Sequence, residues 1–299
     1  MRDNIMHIPV LLNKTIELLD IQPNDVVVDG TLGFGGHTSE MLKKLGAQGV
    51  LIGLDIDQAA LKYCETLFKD QKNVFLFHKS YTQIKEVLET LKIAKVSKIL
   101  LDLGLSSYQL DSETRGFSFQ KEASLDMRMD DSKKGLTAKE IINQYSEADL
   151  ERVFREYGEL YNCQKFVGNI VHMRKKALIM NTTELVDIIK KSFYFRNKRR
   201  VYIKTCAQVF QALRIEVNQE FENIKQFLDQ VLDLWMPQGR LAIITFHSLE
   251  DKLVKKFIRE YEKKGLIKRV NKKVEQTTYA DAKKNVRARS AKLRVVERI

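Results

Sequence analysis

Hydrophobic positions change their period twice along this chain. Up to Leu101, short apolar runs alternate with stretches of helical spacing. VVVDG (26–30), VLIGLDID (50–57), NVFLFH (73–78) and Lys98–Leu101 read as buried strands. The segments through Met41, Leu42 and Leu45, then Gln58–Phe68 and Tyr81–Leu91, read as the helices between them, after a lead-in and amphipathic helix over 7–20. Such alternation with short connections predicts an α/β protein with a doubly wound parallel sheet. From 137 onward the period is helical. Thr137–Glu140 and Ser146–Asp149 are helix-start signals, and further helices fit Asn162–Lys176, Thr183–Phe193, Thr205–Val217 and Gln219–Trp235. The stripe Phe221, Ile224, Leu228, Val231, Trp235 faces a core. The strand period then returns. Pro237-Gln238-Gly239 reads as a turn and RLAIITFHS (240–248) as a buried strand. Leu249–Lys264 follows as a helix, with Ile267–Val270 and Lys292–Arg298 as closing strands. The pattern predicts one sheet domain made of 1–110 and 206–299, with an all-helical domain, 111–205, inserted into it.

The chemistry-bearing residues gather at the carboxyl ends of the expected strands, where ligands bind in open α/β sheets. The first strand empties into a loop carrying Gly33, Gly35 and Gly36, followed by His37 at a helix start. Glycines there let backbone N–H groups approach a ligand, and the helix terminus adds partial positive charge. The spacing GxGG is not the GxGxxG of a dinucleotide fold. Asp55 ends the second strand, where an acid accepts from a ribose diol; it is equally a cap for the helix that follows. The run ILLDLGLSSYQ (99–109) breaks at Asp102 and passes into Gly104, Ser106, Ser107 and Gln109. The long polar stretch after it carries Phe117, Phe119, Met127 and Met129, as a packed functional loop would. His247, at the end of the strand after the insert, is either a proton acceptor or a structural histidine. Loop and acids together indicate a nucleoside cofactor and leave NAD and S-adenosylmethionine both open.

Charge adds a partner class. The net charge is +12, but it is concentrated: residues 251–299 hold 17 Lys/Arg against 6 Asp/Glu, and 172–204 hold 10 against 2. Two basic segments on an otherwise acidic chain suggest a polyanion, against the alternative of solvated helix faces. Cys64, Cys163 and Cys206 form no CxxC pair, which fits reduced thiols in the cytoplasm. Five scattered histidines suggest no metal site. No long apolar run suggests a signal peptide or a membrane span. Nothing in the sequence indicates homo-oligomerisation.

The motifs DGTLGFGGHT, DLGLSSYQLD, RGFSF, LDMRMD, VFQALRIEVN, ITFHSLED and RARSAKLRV follow one another over nearly the whole chain. In this order they resemble the RsmH (MraW) family of methyltransferases. The resemblance implies a Rossmann-like, S-adenosylmethionine-dependent sheet with a helical insert that recognises substrate. It also implies methylation of N4 of a cytidine in the decoding centre of 16S rRNA, within the small ribosomal subunit. Cofactor contacts carry over to Gly35, Gly36, His37, Asp55, Tyr81 (where the family often has Phe), Asp102 and Gln109, with Gly33 in the same loop. Asp102 or the Leu103 carbonyl would accept from the amine, Ser106 or Ser107 would hold the base, and His247 would line the pocket or take the proton. Arg287, Arg289 and Lys292 would contact RNA. The family's His-Pro-Ala segment before FQALRI is here IKTCAQV. Other classes fit the residues less well: a nicotinamide oxidoreductase, a non-catalytic RNA-binding factor on the same fold, or a DNA methylase.

Overall fold

A computed structural model describes residues 9–112, 114–130, 132, 134–196, 198–277 and 286–299. Its framework is one eight-stranded sheet: β1 (Val26–Asp29), β2 (Val50–Asp55), β3 (Val74–His78), β4 (Val96–Asp102), β5 (Trp235–Thr245), β6 (Ile267–Arg269), β7 (Glu275–Gln276) and β8 (Lys292–Arg298). The order is β3-β2-β1-β4-β5-β8-β6, with β7 also on β8. β1 to β5 are parallel, and β8 runs antiparallel between β5 and β6. The helices are α1 (Leu12–Leu19), α2 (Gly36–Leu42), α3 (Gln58–Leu67), α4 (Ile84–Thr90), α5 (Ser107–Asp111), α6 (Ala138–Gln144), α7 (Glu147–Glu156), α8 (Gln164–Arg174), α9 (Thr182–Ser192), α10 (Arg199–Asn218), α11 (Glu220–Leu234) and α12 (Ser248–Lys263). None of the described helices is long and apolar enough to cross a membrane.

The predicted α/β class with its parallel sheet is the observed one. The strands are buried for the reason the apolar runs suggested: Val27, Val28, Leu51, Ile52, Ile99, Leu100 and Leu241 to Ile244 are inaccessible or nearly so. Pro237–Gly239 does not interrupt β5. The pairing with β4 skips from Trp235 opposite Val96 to Arg240 opposite Lys98, so the expected turn is absorbed as an irregularity within a longer strand.

Two units can be separated, Met1–Gly104 with Phe221–Ile299, and Leu105–Glu220. The sequence pattern put the junctions at 110/111 and 205/206. The difference has a packing cause. Leu105 and Leu110 at one end, and Cys206, Val209, Phe210 and Leu213 of α10 at the other, pack into the core of the helical unit. That core also holds Phe117, Leu125 and Met127, with Phe119 and Met129 against it, so the long loop is packed as expected. α10 begins at Arg199, six residues before the predicted start. IKTCAQV lies inside this unbroken helix, and the Thr205 hydroxyl donates back to the Val201 carbonyl at 3.0 Å.

Candidate functional site

Strand register builds a notch at the end of β1. Asp29, its last residue, lies opposite Gly53 of β2 and Leu100 of β4. Both neighbours run two residues further, to Asp55 and Asp102. Because side chains alternate with period two, the three acids share one register parity around the notch. β1 has β2 on one side and β4 on the other, which makes this the switch point of the sheet.

The glycine loop fills the notch and is tied to the acids. Asp55 Oδ2 accepts from the Gly33 N–H at 2.7 Å, and Oδ1 accepts from the Asp57 N–H at 2.8 Å. The cap of α3 is Asp57, which accepts from Ala59 N–H; Asp55 is thereby released from the capping alternative. Asp29 accepts from the Thr38 hydroxyl at 2.7 Å and from Thr31 N–H. The Cys64 thiol donates to the Gly33 carbonyl, and burial pushes its pKa up to about 12, so it stays a thiol. Gly35 has φ +75°, and a Cβ there would stand 2.9 Å from the Phe68 ring. Gly33, at φ +50°, faces open space apart from one carbonyl at 3.9 Å. The loop thus leaves space beside Gly33, while Gly35 packs on Phe68 and Gly36 on Pro9.

Asp102 is the most unusual group. Its backbone N–H donates to Thr31 Oγ1 at 2.6 Å, and its Oδ2 lies 3.7 Å from Nδ1 of buried His37. Its Oδ1 is buried with no hydrogen-bond partner among the described residues, a costly state for a carboxylate. Burial, then the neighbouring Asp29 and Glu250 carboxyls, hold its pKa well above the usual carboxylate range. Burial is also the main cause that raises Asp29 and Asp55 to about 6. Such a cluster favours a cationic ligand. Tyr81 sits beside it: a Cβ on Gly30 would come within 3.1 Å of Tyr81 Cβ, and the Tyr81 ring meets Phe227 edge-on at 5.8 Å.

The structure gives other expected site residues structural duties. His247 is the N-cap of α12, its Nδ1 accepting from Glu250 N–H at 3.4 Å. Its Nε2 lies 2.9 Å from Glu250 Oε1 but makes no hydrogen bond, and is buried without a hydrogen-bond partner among the described residues. Ser106 caps α5: its hydroxyl accepts from Gln109 N–H, and Gln109 Oε1 accepts from Ser106 N–H. Ser106, Ser107 and Gln109 belong to the helical unit. Lys292 reaches buried Asp251 at 3.4 Å, alongside Arg294 at 2.7 Å. Arg289 is exposed, and the Arg287 side chain lies outside the described residues. Sequence reasoning missed Asp29, Glu250 and Asp251. The last two stand in ITFHSLED, where the box His247–Glu250 was the available signal.

Residues 4–299 match the MraW methylase family. The chain is 41% identical over 308 residues to "Ribosomal RNA small subunit methyltransferase H" of Clostridium botulinum (strain Loch Maree / Type A3), covering 98% of this chain and 99% of that protein. It is 42% identical over 298 residues to the protein of that name from Elusimicrobium minutum, covering 99% and 100%. A solved structure, NSun6 from Pyrococcus horikoshii with SFG, is a distant likeness, with a TM-score of 0.48 and 13% identity over 97% of this chain and 52% of that one.

Proposed function

The chain belongs to the MraW methylase family, and from that premise we propose that it transfers a methyl group from S-adenosylmethionine to N4 of a cytidine in the decoding centre of 16S rRNA. The observation that carries the reading is Asp102, a half-buried carboxyl with one buried, unsatisfied oxygen, at the switch point of the sheet. Names of relatives 41–42% identical along their whole length support small-subunit rRNA as substrate.

The residues fit the methyl donor. Gly33 presents an open backbone face, Asp55 retains lone pairs for a ribose diol, and the three carboxyls favour a cation. When bound, S-adenosylmethionine supplies a methyl carbon made electrophilic by its positive sulfur. The protein's own work is acceptance and placement. A cytosine amine is a weak nucleophile because its lone pair is conjugated with the ring. Asp102 Oδ1, in its ionised form, accepts an amine N–H, orients the nitrogen and takes up its proton as the new bond forms. Thr31 fixes the Asp102 backbone and His37 stands against the other oxygen, which leaves Oδ1 for the substrate. His247 positions Glu250, whose Oε2 accepts from Phe246 N–H at 2.7 Å and anchors the turn after β5. The base must leave its stack to be reached, and Arg289 contributes phosphate attraction.

The test is methyl transfer from labelled S-adenosylmethionine to small-subunit rRNA and to assembled subunits, followed by nucleoside mass spectrometry. N4-methylcytidine is expected. A methyl group on another atom overturns the cytidine-N4 assignment, and saturable NADH binding without S-adenosylhomocysteine binding overturns the methylase reading of the site.

A further inference from the structure

We propose that Tyr194, Arg196 and Lys198–Lys204, where α9 leads into α10, form a docking surface for single-stranded RNA, combining one stacking ring with a run of unpaired cations. The proposal rests on rRNA being the substrate.

The backbone geometry separates an anchoring set from a presenting set. Phe193, the residue that caps α9, is extended at φ −113° and ψ 143°, and burial alternates over the next residues, half-buried at Phe193 and Phe195 and exposed at Tyr194 and Arg196. Phe193 and Phe195 pack on the core of the helical unit. They form an unbroken aromatic series with Phe166 and Tyr202, with ring centroids 5.5, 6.3 and 5.3 Å apart from Phe166 through Phe193 and Phe195 to Tyr202. The alternate residues, Tyr194 and Arg196, face outward. Tyr194 is 84% exposed, the most exposed large hydrophobic side chain among the described residues. The Arg196 guanidinium stands 5.8 Å from its ring centroid. An aromatic ring held in water gains nothing for folding. It is suited to a planar partner, and base–aromatic stacking tolerates any base.

Charge identifies the partner further. Residues 194–204 contain Arg196, Lys198, Arg199, Arg200 and Lys204, and no acid. All five are exposed, and none pairs with a carboxylate among the described residues. Lys190, one helix earlier, is by contrast paired with Asp187 at 2.9 Å. Uncompensated like charges repel one another and oppose the dipole of α10, which has no acid in its first turn. A polyphosphate chain with unstacked bases satisfies both halves of this surface at once.

The experiment uses the full chain and naked small-subunit rRNA, with binding measured from 50 to 200 mM KCl and S-adenosylhomocysteine binding as the control for folding. Replacing Arg196, Lys198, Arg199 and Arg200 by Gln should make the slope of log affinity against log salt shallower by about 3. It should weaken binding at least ~30-fold at 100 mM, with KM raised and kcat retained. Tyr194→Ala should weaken binding about tenfold at unchanged slope, and Tyr194→Trp should restore it. A wild-type slope in the fourfold variant overturns the proposal. So does weakened binding to assembled subunits with naked rRNA binding intact, which would assign the surface to a ribosomal protein. If the wild-type chain transfers no methyl to rRNA, the functional reading fails instead; normal transfer with unaltered KM in the variants rejects this surface alone.

Discussion

On the proposed reading Asp102 and Asp55 do different work, and single substitutions should separate them. Asp102→Asn keeps shape and removes the ionised acceptor. Its kcat should fall a hundredfold or more, with S-adenosylhomocysteine affinity by calorimetry held within a few-fold. Because its pKa lies well above the usual range, turnover should decline with falling pH earlier than an ordinary carboxylate would dictate. Asp55, at about 6, must be ionised to accept fully from a diol. Affinity for S-adenosylhomocysteine should therefore weaken as pH drops from 7 to 5, and Asp55→Asn should flatten that dependence. The glycines and the strand-tip acids Asp55 and Asp102 were legible in the sequence because an apolar run ending in Asp is a local pattern. The strap from Asp55 to Gly33 was not, since it joins residues 22 apart through the register of two strands.

At the scale of elements, several expected site residues turn out to be helix caps. Ser106 with Gln109, and His247 with Glu250, are reciprocal boxes at the starts of α5 and α12. Their spacing carries the capping signal, yet the same residue types suit a base pocket, and sequence alone does not rank the two. His247→Asn, which can still cap, should retain stability; His247→Ala should lose about 1 kcal/mol by denaturant unfolding. Asp251 is a related case. It is buried beneath Arg294, Lys292 and Lys255, which hold its pKa down against the burial that raises it. Asp251→Ala should cost roughly 2 kcal/mol. Helix positions were readable from period, but the start of α10 was not, because its first two residues, Arg199 and Arg200, close the basic run FRNKRR, which has a loop's composition.

Across the whole molecule, the acids divide into two groups with opposite pH signatures. Asp29, Asp55 and Asp102 bind protons more tightly folded than unfolded, so stability rises as pH falls through their raised pKa values, about 6 for the first two, toward the unfolded value. Asp251, Asp126, Glu140 and Glu297 have lowered pKa values; the stability they contribute is lost once pH falls below the unfolded carboxylate range. The melting temperature should therefore climb from pH 7 to about 5 and drop below about 4. A profile that falls steadily from pH 7 would contradict the raised acids. The fold class followed from alternation of period alone. The division into units was only approximately readable, because the helical unit recruits Leu105 and most of α10 by burial rather than by any change in composition.

The place of β8 has a consequence for biosynthesis. This last strand of the described chain lies inside the sheet, between β5 and β6. While residues 292–298 remain untranslated, β5 carries a bare edge, and Asp251 and Arg240 lack Arg294 and Glu297. The helical unit, whose core draws only on residues between 105 and 217, meets no such delay. On a translating ribosome its folding can precede completion of the sheet, whose β5 edge stays unpaired until β8 arrives.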